Sequence, residues 1–103
     1  MRDSKLISQS ALIVQIQTQK IRKIQNFDNS FSEFRELALS AGANIEEEVT
    51  GKQDVISPRY FIKKGKLDEL KLIIDKTKVE LVIFNHLLTP SQEKNLESYL
   101  STF

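Results

Sequence analysis

Two short runs of consecutive apolar residues, ALIV (Ala11–Val14) and LVIF (Leu81–Phe84), most constrain what this chain can fold into. A strand covered on one side alternates apolar and polar residues. An unbroken, β-branched run of this length instead suits a strand buried on both faces, as in a parallel sheet sandwiched between helices. The first run opens SALIVQIQ, from Ser10 to Gln17, and the second lies in ELVIF, from Glu80 to Phe84.

The stretches between and after these runs carry helical spacing. SFSEFRELALSAG places Phe31, Phe34, Leu37, Ala38 and Ala41 on one face. Ser30 and Glu33 have the S-x-x-E spacing of a capping box at its start, and Gly42 closes it. Leu67, Leu70, Ile73, Ile74 and Thr77 repeat at helical intervals toward Lys78. Thr89 and Gln92 make a second capping box around Pro90, and that helix turns Leu96, Tyr99 and Leu100 inward. NIEEEVTG alternates, with Ile45, Glu47 and Val49 on one side and Glu46, Glu48 and Thr50 on the other. An acid among the inward positions places this strand at a sheet edge. TQKIRKIQNFDN, from Thr18 to Asn29, and KQDVISP, from Lys52 to Pro58, read as loops.

The order is strand, helix, strand, helix, strand, helix. It predicts an α/β fold: a small three-layer domain with a mainly parallel sheet of three to four strands and flanking helices, joined by right-handed crossovers. At 103 residues, positions 1–103 are expected to form one domain. The alternation leads from the last helix toward another strand, so the expectation is either a three-stranded sheet or a piece of a longer protein.

Several function classes fall away on composition. Cysteine is absent, which removes disulfides and thiolate metal sites. The net charge of +1 announces no global field for nucleic acid or membrane. MRDSKLISQS lacks the apolar stretch of a signal peptide, and no run approaches the roughly 20 apolar residues of a membrane span. A cytoplasmic protein without integral membrane contact is expected.

Local charge is more informative, in RYFIKKGKLDEL from Arg59 to Leu70. A phosphate-binding P-loop needs G-x-x-x-x-G-K-[ST]; here Gly65 and Lys66 have no partner glycine at that spacing, and Leu67 stands where the hydroxyl is required. A G-x-G-x-x-G fingerprint fails too, since the three glycines are far apart. Gly65 then reads as the residue that lets the chain turn into a helix. Yet Arg59, Lys63, Lys64 and Lys66 cluster beside Tyr60 and Phe61 at a helix start, where cations oppose the dipole. That placement favours an anionic partner, and RNA phosphates suit it. Arg59, Lys63, Lys64, Gly65 and Lys66 are therefore the candidate RNA-binding residues.

No catalytic or metal-binding set stands out. His86 follows ELVIF at the strand end where open α/β sheets place ligands, but no nucleophile or carboxylate neighbours it in sequence, so it reads as a loop histidine. A small nucleotide-binding domain using Asn85 and His86, with ATP as ligand, is the alternative reading. Within Glu46, Glu47 and Glu48, alternation sends the middle carboxylate to the opposite face, which disfavours a shared metal ion. Gln92, Lys94 and Asn95 fall on the exposed side of the last helix as a possible interface.

From Glu36 to Leu100 the chain resembles the N-terminal domain of the HflX family of ribosome-associated GTPases. The resemblance rests on ELALSAGANIEEEV, PRYFIKKGKLDEL and LVIFNHLLTPSQEKNLESYL. These are similar to the family's E-L…T-A-G segment, its P-x-x-[YF]-I-G-x-G-K-x-x-E-L signature and its L-[ST]-P-x-Q-x-[RK]-N-L-E signature. Lys63 stands where the family usually has the first glycine of G-x-G-K, and His86 at an often acidic or polar position. The resemblance implies a further strand, a helical hairpin and a G domain beyond this chain, where GTP and Mg would bind, so that this piece cannot itself hydrolyse GTP. It further implies large ribosomal subunits and their rRNA as partner, a role in separating stalled ribosomes, and packing against the G domain of the same parent chain. Adenine nucleotide binding is also associated with this region of the family.

Overall fold

The computed structural model describes residues 9–18 and 27–101. β1 (Gln9–Gln17) leads to α1 (Phe27–Ser40), β2 (Ala43–Lys52), α2 (Lys64–Thr77), β3 (Leu81–Phe84) and α3 (Pro90–Leu100). The three strands form one sheet in the order β2-β1-β3, and both pairings are parallel. The three-layer α/β expectation is met. The chain moves from β1 to β2 in one direction and from β2 across to β3 in the other, so crossovers of one hand place α1 and α2 on opposite faces.

The central position of β1 accounts for its unbroken apolar run. Leu12, Val14 and Ile16 point into the larger core with Val49, Phe61, Ile62, Leu67, Leu70, Ile74, Val79, Val82, Leu96 and Leu100. Ile13 points the other way, to Phe31, Phe34 and Ala38 of α1. Each such fully buried aliphatic side chain contributes about 1.5–3 kcal/mol of burial. β3 is less enclosed than its sequence suggests. Only Val82 is buried, because among the described residues β3 pairs with β1 alone and lies at the edge of the sheet.

β2 lies at the other edge, as expected, but its faces differ from simple alternation. Ala11 pairs with Ile45 and Leu12 with Glu47, so Glu46 is an extra residue in a bulge. The bulge turns Ile45 toward α1 while Val49 joins the core under α2 and α3. Ile45 and Val49 therefore do not share a face. Past the bulge, Glu48 stands on the α1 side, where both carboxylate oxygens accept from Arg35, at 2.6 and 2.9 Å.

The start of α1 is also a correction. The helix begins at Phe27, within the segment read as loop, which leaves Ser30 inside its first turns. The Ser30 hydroxyl accepts from Gln15 Nε2 at 3.0 Å, and this pairing with a buried glutamine of β1 replaces the expected cap. Phe31, Phe34 and Ala38 form the inward stripe, while Leu37 is 70% exposed and Ala41 also faces outward. Gly42, at φ 100°, ends the helix in a conformation that side chains disfavour. The rest of the expected loop, residues 19–26, and most of the N-terminal segment lie outside the described residues.

α2 and α3 follow their sequence signals. Leu67, Leu70 and Ile74 are the buried stripe of α2. Thr89 and Gln92 of α3 complete the reciprocal capping box, with Thr89 N–H donating to Gln92 Oε1 and Gln92 N–H to Thr89 Oγ. Among the described residues, no helix is long and apolar enough to cross a membrane.

Candidate nucleic-acid interface

The basic segment begins in a tight loop. Ser57 and Phe61 exchange both backbone hydrogen bonds, Ser57 N–H to Phe61 O at 3.1 Å and Phe61 N–H to Ser57 O at 2.9 Å, which leaves Pro58, Arg59 and Tyr60 at the apex. Phe61 closes the loop at φ 70°, a backbone region unusual for a bulky residue, with a cost on the order of 1–3 kcal/mol. Its surroundings hold it there. The ring is buried and meets Phe84 edge-on at 6.5 Å and His86 at 4.5 Å. The chain thus turns into α2 at Phe61. Gly65, read from sequence as the turning residue, lies within the helix, and a Cβ there would meet nothing within 4 Å.

A buried glutamine fastens this loop from below. Gln53 Nε2 donates to Val55 O at 2.9 Å and to Phe61 O at 2.8 Å, and its Oε1 accepts from Lys63 N at 3.2 Å. From above, two residues of α3 hold it. Gln92 Nε2 donates to Ser57 O and Asn95 Nδ2 to Arg59 O, both at 3.0 Å. Gln92 is buried rather than on an exposed face, because its side chain both caps α3 and reaches this loop. Asn95 is half-buried at the same junction, and Lys94 is exposed. Neither Gln53 nor the clamp was visible in the sequence, since a single glutamine in a polar loop carries no periodic signal.

The cations divide into two groups. Arg59, Lys63 and Lys64 are exposed. The Arg59 guanidinium lies over the Tyr60 ring, 5.4 Å from its centroid. Lys63 is the N-cap of α2 with extended backbone and no side-chain capping bond, and the first turn holds no acid. Lys64 approaches Asp68 at 3.4 Å on the helix surface. Lys66 differs. Its stem crosses Gly51 of β2, where an added Cβ would stand 2.8 Å from Lys66 Cε, and its ammonium donates to Thr50 O and Glu69 Oε1, each at 2.9 Å. Lys66 ties α2 to β2. The start of α2 thereby combines a positive dipole end, open space beside Gly65 and three outward cations, an arrangement suited to phosphate oxygens.

The carboxyl ends of the strands are built differently. In a 2-1-3 strand order the crevice between β1 and β3 is where ligands sit in doubly wound folds. Here side chains fill it. His86 Nε2 accepts from Ile16 N–H at 2.8 Å, Asn85 Nδ2 donates to Gln15 Oε1 at 3.0 Å, and Phe61 stacks on His86. Burial pushes the imidazole down to about 4, so it is neutral at pH 7. His86 is thus a loop residue, past the end of β3, whose side chain packs into the sheet end. The acidic triplet of β2 is split by its bulge, and among the described residues no cluster of three metal-ligating side chains forms.

Comparison with known proteins places the chain in a family. Residues 28–102, from α1 through α3, match the family described as GTP-binding GTPase N-terminal. A GTPase HflX of Caldanaerobacter subterraneus is 41% identical over 73 residues, covering 71% of this chain and 17% of the relative. A GTPase HflX of Thermococcus kodakarensis is 45% identical over 67 residues, 65% of this chain and 15% of the relative. A GTPase HflX of Escherichia coli is 38% identical over 65 residues, 63% and 15% respectively. The chain spans 15–17% of the length of these relatives. With the matched span running through the three described helices and the basic loop between them, this chain belongs to the GTP-binding GTPase N-terminal family, the N-terminal domain of HflX GTPases.

Proposed function

We propose that this domain is the ribosome-facing accessory module of an HflX-like GTPase, which binds large-subunit rRNA through the start of α2 and so positions a GTPase domain that holds GTP and Mg. The observation that carries this reading is the set of three exposed cations, Arg59, Lys63 and Lys64, at a helix start with no capping side chain and no acid in its first turn. Cations there weaken the helix slightly, so helix stability does not account for them. Lysines serve as point charges on phosphates, and Arg59 can grip one in a forked manner. Gly65 leaves the helix backbone open to close approach. Lys66 adds its charge while fastening α2 to β2. The names of the relatives support the GTPase context.

The test is binding of this chain to purified large ribosomal subunits across a salt series. Three phosphate contacts predict that log K falls with log salt with a slope of about −2 to −3. Replacing Arg59, Lys63 and Lys64 together by glutamine should flatten that slope. An unchanged slope with the fold intact would sink the proposal.

A further inference from the structure

Beside the three cations lies an aromatic patch that phosphate binding leaves unexplained. Tyr60, at the apex of the loop, and Tyr99, in the last turn of α3, meet edge to face with ring centroids 5.8 Å apart. Both are half-buried and rest on the core. Cations lie over them: Arg59 over Tyr60 at 5.4 Å, and the Lys71 ammonium 5.8 Å from the Tyr99 centroid. The patch is continuous with the start of α2, because Tyr99 Oη donates to Asp68 Oδ1 at 2.8 Å and Asp68 Oδ2 pairs with Lys64. That hydrogen bond raises the Tyr99 hydroxyl above its ordinary range and lowers the Asp68 carboxyl. Each ring rests on the core and carries a long cationic side chain beside its face. Such side chains can swing to a phosphate and uncover a ring at little cost.

An aromatic surface rimmed by cations is the arrangement by which proteins hold single-stranded nucleic acid. Each unpaired base offers a π-face to stack, and each phosphate offers a charge. In a duplex the bases face one another, so it can use only the cations. We infer that Tyr60 and Tyr99 form a stacking platform for unpaired bases of an RNA strand whose phosphates lie on Arg59, Lys63, Lys64 and Lys71. This rests on the RNA-binding reading above and specifies its ligand as a loop, bulge or end of RNA rather than a helix.

The chain carries its own reporter. Tyr60 and Tyr99 are its two tyrosines, and tryptophan is absent, so emission excited in the tyrosine band arises from this patch. The experiment titrates the full chain with an oligoadenylate of roughly ten nucleotides, with a duplex RNA of equal length as the absorbance control, and with ATP at matched base concentration. The single strand should quench the emission, while duplex and ATP should not. Tyr60→Phe and Tyr99→Phe keep a ring at each place and isolate one emitter; each should retain affinity and the quenching of the remaining tyrosine. Tyr60→Leu should lower single-strand affinity roughly tenfold and leave duplex affinity within about twofold. If Tyr60→Leu fails to fold by far-ultraviolet circular dichroism, the two phenylalanine variants still decide the matter. Salt-dependent binding without quenching overturns the stacking platform and leaves the phosphate contact standing. Absence of any RNA binding by the folded chain overturns both. Equal quenching by ATP reassigns the patch to free nucleotides and overturns the RNA assignment.

Discussion

The backbone N–H of Ile16 donates to the ring nitrogen Nε2 of His86 at 2.8 Å, so a side chain takes over the sheet ladder where β3 stops. The last backbone bond on this side runs from Asn85 N–H to Val14 O, and the next donor along β1, Ile16 N–H, would otherwise be buried without an acceptor. One imidazole thus completes the central strand and closes the crevice of the fold.

Burial of this imidazole makes stability depend on pH. The unfolded chain binds the His86 proton near pH 6.5, whereas the folded chain binds it only near pH 4, so acid favours unfolding across that window. The contribution is fully present above pH 6.5 and is lost progressively as pH falls toward 4, to a limit of about 3 kcal/mol. Chemical denaturation between pH 7 and pH 4.5 should show this fall, and His86→Gln, which keeps an acceptor without a titrating ring, should flatten it. Losses from Glu48 and Asp68, whose carboxyls are lowered by hydrogen bonds from Arg35 and Tyr99, belong to lower pH.

Gln53→Leu should destabilise the domain by about 2–3 kcal/mol, because it strands the Lys63 N–H and removes a donor from the Phe61 and Val55 carbonyls. Urea unfolding reads the loss. It should also weaken RNA binding beyond what stability explains, since Arg59 and Lys63 flank the part of the loop it fastens. A variant of wild-type stability would show that water replaces these bonds.

Lys63→Asp should move stability and binding in opposite directions. The extended backbone at this position fits a capping carboxylate, which adds about 1 kcal/mol and raises the melting temperature by about 4 °C or more. Affinity for large subunits should drop, and the drop should shrink at high salt. Higher stability with unchanged affinity would remove Lys63 from the interface.

Gly65→Ala tests backbone approach at the same helix start. Open space at the added Cβ and ordinary helical geometry predict stabilisation by up to about 1 kcal/mol. If a phosphate lies against this turn, the methyl group should lower RNA affinity several-fold. Unchanged affinity would mean that only side chains reach the ligand.

The parts of this molecule that sequence made legible are those set by local periodicity and capping chemistry. Thr89 and Gln92 announced the start of α3, Leu67, Leu70 and Ile74 the buried stripe of α2, and ALIV the central strand. The S-x-x-E signal at Ser30 misled because Gln15, across the sheet interface, claims the hydroxyl. Leu37 has helical spacing and still faces outward, because the stripe that meets β1 is narrow. The basic cluster was readable as composition, but not the division between exposed Arg59, Lys63 and Lys64 and the tethered Lys66.

Sequence by itself determined the α/β class, the order of elements and the family, since burial on two faces and the signals that start helices are written in neighbouring residues. Tertiary structure alone decided the bulge at Glu46, the seat of His86 in the ladder, the three bonds of Gln53 and the meeting of Tyr60 with Tyr99. Each of these joins residues from different elements. Which donor finds which acceptor, and which ring meets which, follows from strand register and helix placement, and these are fixed only when the layers pack.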